Sequence, residues 1–426
     1  MMSPGGAEAQ ACAYLVSRYP SVTHTFVLGE VRALRAAGLR VETASVRRVP
    51  ASMVLSPVDR EEQARTRSLV PAAPTALVHG HVRALRRSPS AYARTFARAL
   101  AMAHAGGRPR LWQVFYFAEA ILLWAWMEAE DLRHVHVHHA NVSADLALLA
   151  CAFANASAPS RRWTWSLTLH GPTELADVEG HKLAAKVHDA SAVLCVSDFA
   201  HAQVLAFADP VDAAKVRVVR CGIDVDAFRR AAPAPAPAEH GIEILTVAAL
   251  SRRKGHAVLL EALVQMRAGG VAARLTLVGD GEERARLEAL ARELGLAGHV
   301  HFAGALGQDQ VGALYERAHV FCLPSFAEGV PIVLMEAMAM ELPVVATSVM
   351  GVSELVEHER SGLLVAPARA DLLAAALMRL AGDPDLRARL GAAGHARVAR
   401  DYEIHRAAAE VRAALAPVLS ASQGVG

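Results

Sequence analysis

The sequence predicts an α/β protein built from two successive parallel-sheet domains. Three observations predict it. Short β-branched runs alternate with helical stretches along nearly the whole chain, the pattern of βαβ units. The alternation is interrupted once, by Ala232-Pro-Ala-Pro-Ala-Pro-Ala238, and then restarts. Finally, 426 residues exceed one ordinary core and suit two domains of roughly 150–230 residues each.

In the first half, Ala11 to Val16 reads as a strand, Phe26 to Ala37 as an amphipathic helix closed by Gly38, and Arg40 to Val46 as the next strand. His134 to His138 is another strand, leading into a helix from Ser143 to about Phe153. Trp163 to Leu169 is a strand ending at His170-Gly171, and Ala192 to Val196 is a strand whose successor helix starts at the N-cap Ser197. Proline at every second position of 232–238 continues neither a helix nor a central strand, so this is an extended linker. The expected domains are therefore 1–231 and 239–402, with a C-terminal helix at about 403–420 packing back on the first. Beyond the linker, strands are expected at Glu243 to Ala248, Arg274 to Val278, His299 to Phe302, Val320 to Leu323, Pro343 to Thr347 and Leu363 to Val365, with helices between them.

Composition narrows the function. A 53% hydrophobic content excludes a disordered chain. Five scattered cysteines with no C-x-x-C pair fit reduced thiols in a cytoplasmic protein. No basic segment followed by an apolar core opens the chain, so no signal peptide is expected. The best apolar run, Ala118 to Met127, contains Glu119, is followed by Glu128, and is too short to span a bilayer. A net charge of +2 carries no footprint of nucleic acid, and no such partner is expected. The charge is uneven, however. From Gln63 to Ala118 there is no Asp or Glu, while nine arginines lie there among Tyr92, Phe96, Trp112, Phe115 and Phe117, with Pro and Gly dividing the stretch into short helical pieces. It reads as a solvated basic face, or as a surface for anionic lipid or a lipid-linked phosphate acceptor that would hold the protein peripherally at the inner face of a membrane.

Ligands of open α/β sheets bind beyond the carboxyl ends of the strands. The richest strand end is Ser325-Phe-Ala-Glu328-Gly-Val-Pro-Ile-Val-Leu-Met-Glu336-Ala-Met-Ala, where Pro331 suits the first helical position. Glu328 falls in the loop and Glu336 among apolar helix neighbours, where a carboxylate needs partners. By composition alone, a surface loop residue and an exposed helix charge are equally good readings.

The spacing of Glu328 and Glu336 within P-S-x-x-E-G-x-P-x-x-x-x-E-A-x-A resembles the E-x7-E motif of family 4 retaining glycosyltransferases. So do Val219-Arg-Cys-Gly-Ile-Asp224 with Phe228, Lys254-Gly255, Val278-Gly-Asp-Gly281 and Gly351-Val-Ser-Glu354-Leu-Val. The match runs from about Trp163 to Val365. The first half is more loosely similar to bacterial exopolysaccharide, colanic-acid-type members through Tyr19-Pro20 and Thr23-His-Thr-Phe26, where Thr23 and His24 replace the usual Ser-Glu. The resemblance implies two Rossmann-like domains facing across a cleft, the GT-B type, with a nucleotide-diphosphate sugar held by the C-terminal domain. It implies that Glu336 holds the ribose hydroxyls and Glu328 those of the transferred sugar. Lys254 would pair with the diphosphate, and backbone N–H groups from Phe326 through Gly329 to Val330 would meet sugar and phosphate oxygens, as orphan amides at a helix start can. His170 would approach the donor sugar, although a strand-end histidine is also ordinary loop structure.

One position departs from the family. The usual Arg five residues before the Lys is Ala249, so Arg252 or Arg253 must supply the guanidinium; Arg252, two residues before Lys254, is expected to point the same way, and Arg253 to be largely surface. None of the expected strands is directly followed by a D-x-D, so neither metal nor other cofactor is expected. Alternation puts His136 and His138 on one strand face, a metal pair in principle but read as structure. The expected reaction is front-face transfer with retention to a glycan, lipid-linked or small-molecule acceptor in cell-surface polysaccharide synthesis. A nucleotide-sugar epimerase and a non-catalytic sugar-nucleotide-binding protein are the competing readings.

Overall fold

A computed structural model of the chain describes residues 10–21, 25–54, 56–103, 107–230 and 241–423. The chain forms two compact units, one of residues 1–196, 200–219 and 407–426, the other of residues 197–199 and 220–406. The division thus falls before Arg220, earlier than the Pro-Ala run predicts; that run lies outside the described residues. An extended proline segment marks where a chain need not fold, not where contacts change hands.

The sheet of the first unit is parallel throughout. Its strands are β1 (Ala11–Val16), β2 (Arg40–Arg47), β3 (Arg67–Val70), β4 (His134–His138), β5 (Thr164–Leu169), β6 (Ala192–Cys195) and β7 (Val216–Val218), in the order β3-β2-β1-β4-β5-β6-β7. Helices on its faces bury a core that includes Leu15, Val135, Val137, Leu146, Phe153, Trp165 and Leu167. β3 and β7, at the two edges, are too short for periodicity to reveal.

Three histidines on β4 are fully buried, which a register argument explains. His134, His136 and His138 pair with Thr164, Ser166 and Thr168 of β5. His134 sits between the Thr164 and Ser166 hydroxyls (both 2.8 Å), and His136 between Ser166 (2.7 Å) and Thr168 (2.9 Å). Burial drives both rings to the neutral form, His134 down to about 3 and His136 well below the ordinary imidazole value. At His134 and His136 the alternating pattern is a satisfied polar ladder inside the sheet.

The acid-free stretch contributes helices Pro74–Arg87, Pro89–Ala101 and Gly107–Ala129. The last is a single helix of 23 residues rather than a short piece. Pro109 lies in its first turn, where a missing N–H breaks no intrahelical bond. Gly80 of the first helix faces Leu122 of the third. Arg83 and Arg87 both reach Glu128, at 2.8 and 3.1 Å. No helix among the described residues is long and apolar enough to cross a membrane.

The second unit carries β8 (Ile242–Val247), β9 (Ala273–Val278), β10 (Val300–Gly304), β11 (Val320–Leu323), β12 (Val344–Thr347) and β13 (Leu363–Val365), all parallel, in the order β10-β9-β8-β11-β12-β13. Leu259, Leu263, Leu275, Leu277, Val320, Val345 and Leu377 are among its core residues. The helix Ile404–Gln423 closes the chain, and its residues from Ala407 belong to the first unit. Both sheets are doubly wound: strand order reverses between β1 and β4 in one and between β8 and β11 in the other.

Candidate functional site

A reversal of strand order leaves a crevice at the strand ends, because the loops leaving the two central strands turn to opposite faces of the sheet. In the second unit those loops follow β8 and β11, and they carry Lys254 and Glu328. Gly255, in the left-handed conformation (φ 69°), allows the two loops to touch: a Cβ there would lie 2.0 Å from the Pro324 carbonyl oxygen. The Phe326 N–H donates to the Arg253 carbonyl at 2.8 Å and ties the loops together. A third loop backs them, with Gly351 so close that a Cβ would sit 2.2 Å from the Gly329 carbonyl oxygen.

Within this frame Lys254 Nζ lies 2.5 Å from Glu328 Oε1, and the Ser325 hydroxyl donates to the same oxygen at 2.6 Å. Both charged side chains are largely buried. Arg253 Nη1 donates to the Ala327 carbonyl at 2.7 Å and lies 3.5 Å from Glu328 Oε2. Arg252 points elsewhere: its side chain is 84% exposed and lies 3.4 Å from Glu283, on the loop after β9. The sequence expectation is thus reversed, for a specific reason. Arg252–Lys254 form a single turn of tight helix, so side chains there do not follow the two-residue alternation of a strand. Arg253 and Lys254 are the pair that meets Glu328.

Glu336 is buried on the helix Ile332–Ala339, for which Pro331 is the N-cap rather than the first helical residue. It accepts from the Tyr315 hydroxyl at 2.9 Å and from Gln308 Nε2 at 3.4 Å. Burial outweighs both donors and pushes its pKa up to about 7. Sequence reasoning missed Ser325, Tyr315 and Gln308 as partners; a buried glutamate asks for donors, but nothing local says which. The amide of Phe326 is also committed to Arg253 rather than open to a ligand, and its ring is exposed, while Val330 is buried and Gly329 packs under Gly351.

His170 belongs to the first unit, at the end of β5. The Glu174 carboxylate accepts from the His170 N–H at 2.9 Å, and from the amides of Ala140 and Gly171. His170 Nε2 and His138 Nδ1 lie 2.8 Å apart, and the rings of Phe26 and His139 flank His170, each 4.6 Å away between centroids. Phe26 is the described part of the Thr23-to-Phe26 motif; Thr23 and His24 lie outside the described residues. Glu30, His136 and His138 bring ligand-type atoms within 4.8 Å of one another, but both ring nitrogens of His136 already meet hydroxyls. A separate depression lined by Glu243, Arg274, His299 and Arg317 opens at the starts of β8 and β9, the wrong end of the strands for a ligand of this fold class.

Two doubly wound sheets with a Lys–Glu–Ser cluster at one switch point define a protein of the GT-B class. A sucrose-phosphate synthase from Thermosynechococcus elongatus has this fold, with a TM-score of 0.71 at 23% identity, covering 97% of this chain and 100% of that one. The Anabaena protein HepE, solved with UDP-glucose, matches with a TM-score of 0.69 at 17% identity, over 96% and 99% of the two chains. Residues 229–397 match the family described as glycosyl transferases group 1. This segment, about two fifths of the chain, is what it shares with the group 1 glycosyltransferases. The WcaL protein of Escherichia coli (strain K12), assigned as a colanic acid biosynthesis glycosyltransferase, is 40% identical over 157 residues, 35% of this chain and 38% of that protein. The amylovoran biosynthesis glycosyltransferase AmsK of Erwinia amylovora is 35% identical over 185 residues, 41% of this chain and 44% of its own length. The matched stretches thus span about two fifths of these relatives.

Proposed function

We propose that the chain is a retaining glycosyltransferase that moves a sugar from a nucleotide-diphosphate donor to a glycan, lipid-linked or small-molecule acceptor in cell-surface polysaccharide synthesis. The observation that carries this is the Lys254–Glu328–Ser325 cluster at the β8/β11 switch point, with Glu328 eight residues before the buried Glu336, within the segment that matches the family. In this reading Lys254 and Arg253 face the diphosphate. Negative charge grows on the leaving phosphate in the transition state, and fixed cations that need no rearrangement stabilise it. Glu328 holds hydroxyls of the transferred sugar, Glu336 those of the ribose, and His170 approaches the donor sugar. The acceptor hydroxyl attacks on the face the diphosphate leaves, and the departing phosphate takes its proton. No metal is needed for this charge balance.

The test is a thermal-shift panel of nucleotide sugars, beginning with UDP-glucose and GDP-mannose, followed by transfer assays on the hits. UDP-glucose is bound in the HepE structure, and a Mycobacterium tuberculosis relative, 35% identical over 195 residues, is GDP-mannose-dependent. A ligand at a hundred times its Kd stabilises by about 2.7 kcal/mol. Transfer with the donor's anomeric configuration kept supports the proposal. Binding without transfer supports a sugar-nucleotide-binding protein, an altered nucleotide sugar without any acceptor supports an epimerase, and silence across the panel refutes all three.

The acid-free helices support a peripheral membrane role. Val78, Leu111, Trp112 and Phe115 are exposed there, beside the exposed Arg86, Arg94, Arg108 and Arg110. Apolar side chains that enter the headgroup boundary, accompanied by cations, suit an anionic leaflet.

A further inference from the structure

The first unit has its own switch point, between β1 and β4, and a chain of polar groups is buried there. Glu30 lies on the helix Thr25–Ala36 that follows β1. Its Oε1 accepts from the Tyr14 hydroxyl at 2.8 Å and lies 3.3 Å from His138 Nε2. That last contact is an ion-pair contact rather than a well-aligned hydrogen bond, and His138 Nε2 has no other partner. On the far side of the same ring, His138 Nδ1 meets His170 Nε2 at 2.8 Å. Glu30 and His138 are both buried, while His170 is partly accessible.

We propose that Glu30 and His138 are positioning residues for His170, a buried carboxylate–imidazole relay that decides what His170 presents at its other ring nitrogen. The proposal rests on His170 acting toward the donor sugar, and it adds the device that sets the chemistry of that histidine. The proton count runs through three positions. A lone pair on His138 Nε2 would face the Glu30 carboxylate, so Nε2 carries a hydrogen. One further proton lies between His138 Nδ1 and His170 Nε2. With both rings neutral, that proton belongs to His170 Nε2, and His170 Nδ1 is a hydrogen-bond acceptor. When the pair takes up one proton from solvent, Nδ1 of His170 carries an N–H whichever ring holds the positive charge, and it becomes a donor. Glu30 stabilises that protonated pair, as a carboxylate beside an imidazole does.

Among the described residues, the following charged and titratable groups stand around the pair. Tyr14 and Cys12 approach Glu30 from β1, and burial keeps both protonated, Cys12 with a pKa raised to about 12. His136, 5.0 Å from His138 between ring centroids, is held neutral. His139 stacks near His170, and Glu174, 3.6 Å from His139 Nδ1, holds the His170 backbone. Glu30 is therefore the carboxylate that bears on His138, and Glu174 the one that bears on the backbone of His170.

The test is long-range proton–nitrogen NMR of the imidazole rings in the full-length, nitrogen-15-labelled protein, with peaks assigned by His138→Gln and His170→Gln. At alkaline pH, His170 should show a single tautomer protonated at Nε2. Glu30→Gln should change the tautomer ratio of His170, and the pH profile of kcat/KM should move with it. KM for the nucleotide should change less than about twofold, as for a group that contributes no ground-state binding, and Glu30→Asp should recover part of the shift. If Glu30→Gln fails to fold, His138→Gln is the second variant: there His170 should lose the single tautomer. Identical His170 tautomers and pH profiles in the wild type and the folded variants overturn the relay. A coupled His170 whose replacement by Gln leaves transfer intact keeps the relay and removes the donor-sugar role.

Discussion

Removing Arg253 should damage the site, whereas removing its neighbour Arg252 should not. Arg253 donates a charge-assisted bond to the Ala327 carbonyl and stands 3.5 Å from Glu328, so it both shapes the loop and adds positive charge beside Lys254. Bonds to charged groups contribute about 1.5–3 kcal/mol; with a side chain 42% exposed, about 1–2 kcal/mol is the better expectation after solvent screening. That corresponds to a fall in kcat/KM of roughly 5- to 30-fold for Arg253→Ala. Arg252 lies almost wholly in solvent, and Glu283 keeps Arg286 as a partner at 2.5 Å when Arg252 is lost. Exposed pairs of this kind contribute about 0–1 kcal/mol, so Arg252→Ala should cost less than about fivefold. Ala249 is exposed in the same loop, and Ala249→Arg should recover part of the loss in the Arg253→Ala background. The assay is initial-rate transfer kinetics with the donor found by the thermal-shift panel, with denaturant unfolding to show that each variant is folded. If Arg252→Ala costs as much as Arg253→Ala, the side-chain directions are wrong. If the double variant keeps its kcat/KM, neither arginine acts on the diphosphate, and Lys254 carries it alone.

Lys254→Met should destabilise the protein by about 3 kcal/mol in urea unfolding, because it leaves Glu328 buried without its main counter-charge, and Lys254→Met/Glu328→Gln should recover most of that; equal stability of wild type and single variant would show the pair to be solvated. Glu336 has a folded pKa raised to about 7 from an ordinary 4.5, so the stability it contributes is fully present below about pH 4.5 and is lost as pH rises through about 7, a change on the order of 3 kcal/mol. Glu336→Gln should remove that component of the stability–pH curve, and a curve unchanged by the substitution would count against the shift. Ribose hydroxyls donating to Glu336 favour its charged form, so nucleotide binding near pH 6.5 should release protons, read from calorimetry in buffers of different ionisation enthalpy. Transfer should persist in EDTA, and loss on chelation with recovery in magnesium or manganese would overturn the cation-only charge balance. Vesicle binding should need anionic lipid, fall with salt, and weaken on Trp112→Ser or Arg86→Glu; equal recovery on neutral vesicles would leave the basic helices a solvated face.

The sequence by itself determined the alternation of strands and helices, the parallel α/β class, and the strand end at which Glu328 stands. These follow from local patterns: β-branched runs of strand length, a proline opening a helix, and two glutamates at fixed spacing. Lys254 was legible only through the resemblance of Lys254-Gly255 to a family motif; that the glycine lets two loops meet is seen only in the structure. Tertiary structure alone decided the rest. Whether Arg252 or Arg253 meets Glu328 depends on a single turn of tight helix, which no alternation rule describes. Tyr315 reaches Glu336 from 21 residues away, and Glu30 comes within 3.3 Å of His138 across 108 residues of chain. The division of the chain at Arg220 likewise depends on which residues pack together, which no local pattern states. Burial and long-range neighbours set the charge of Glu336, and no local pattern of residues encodes it.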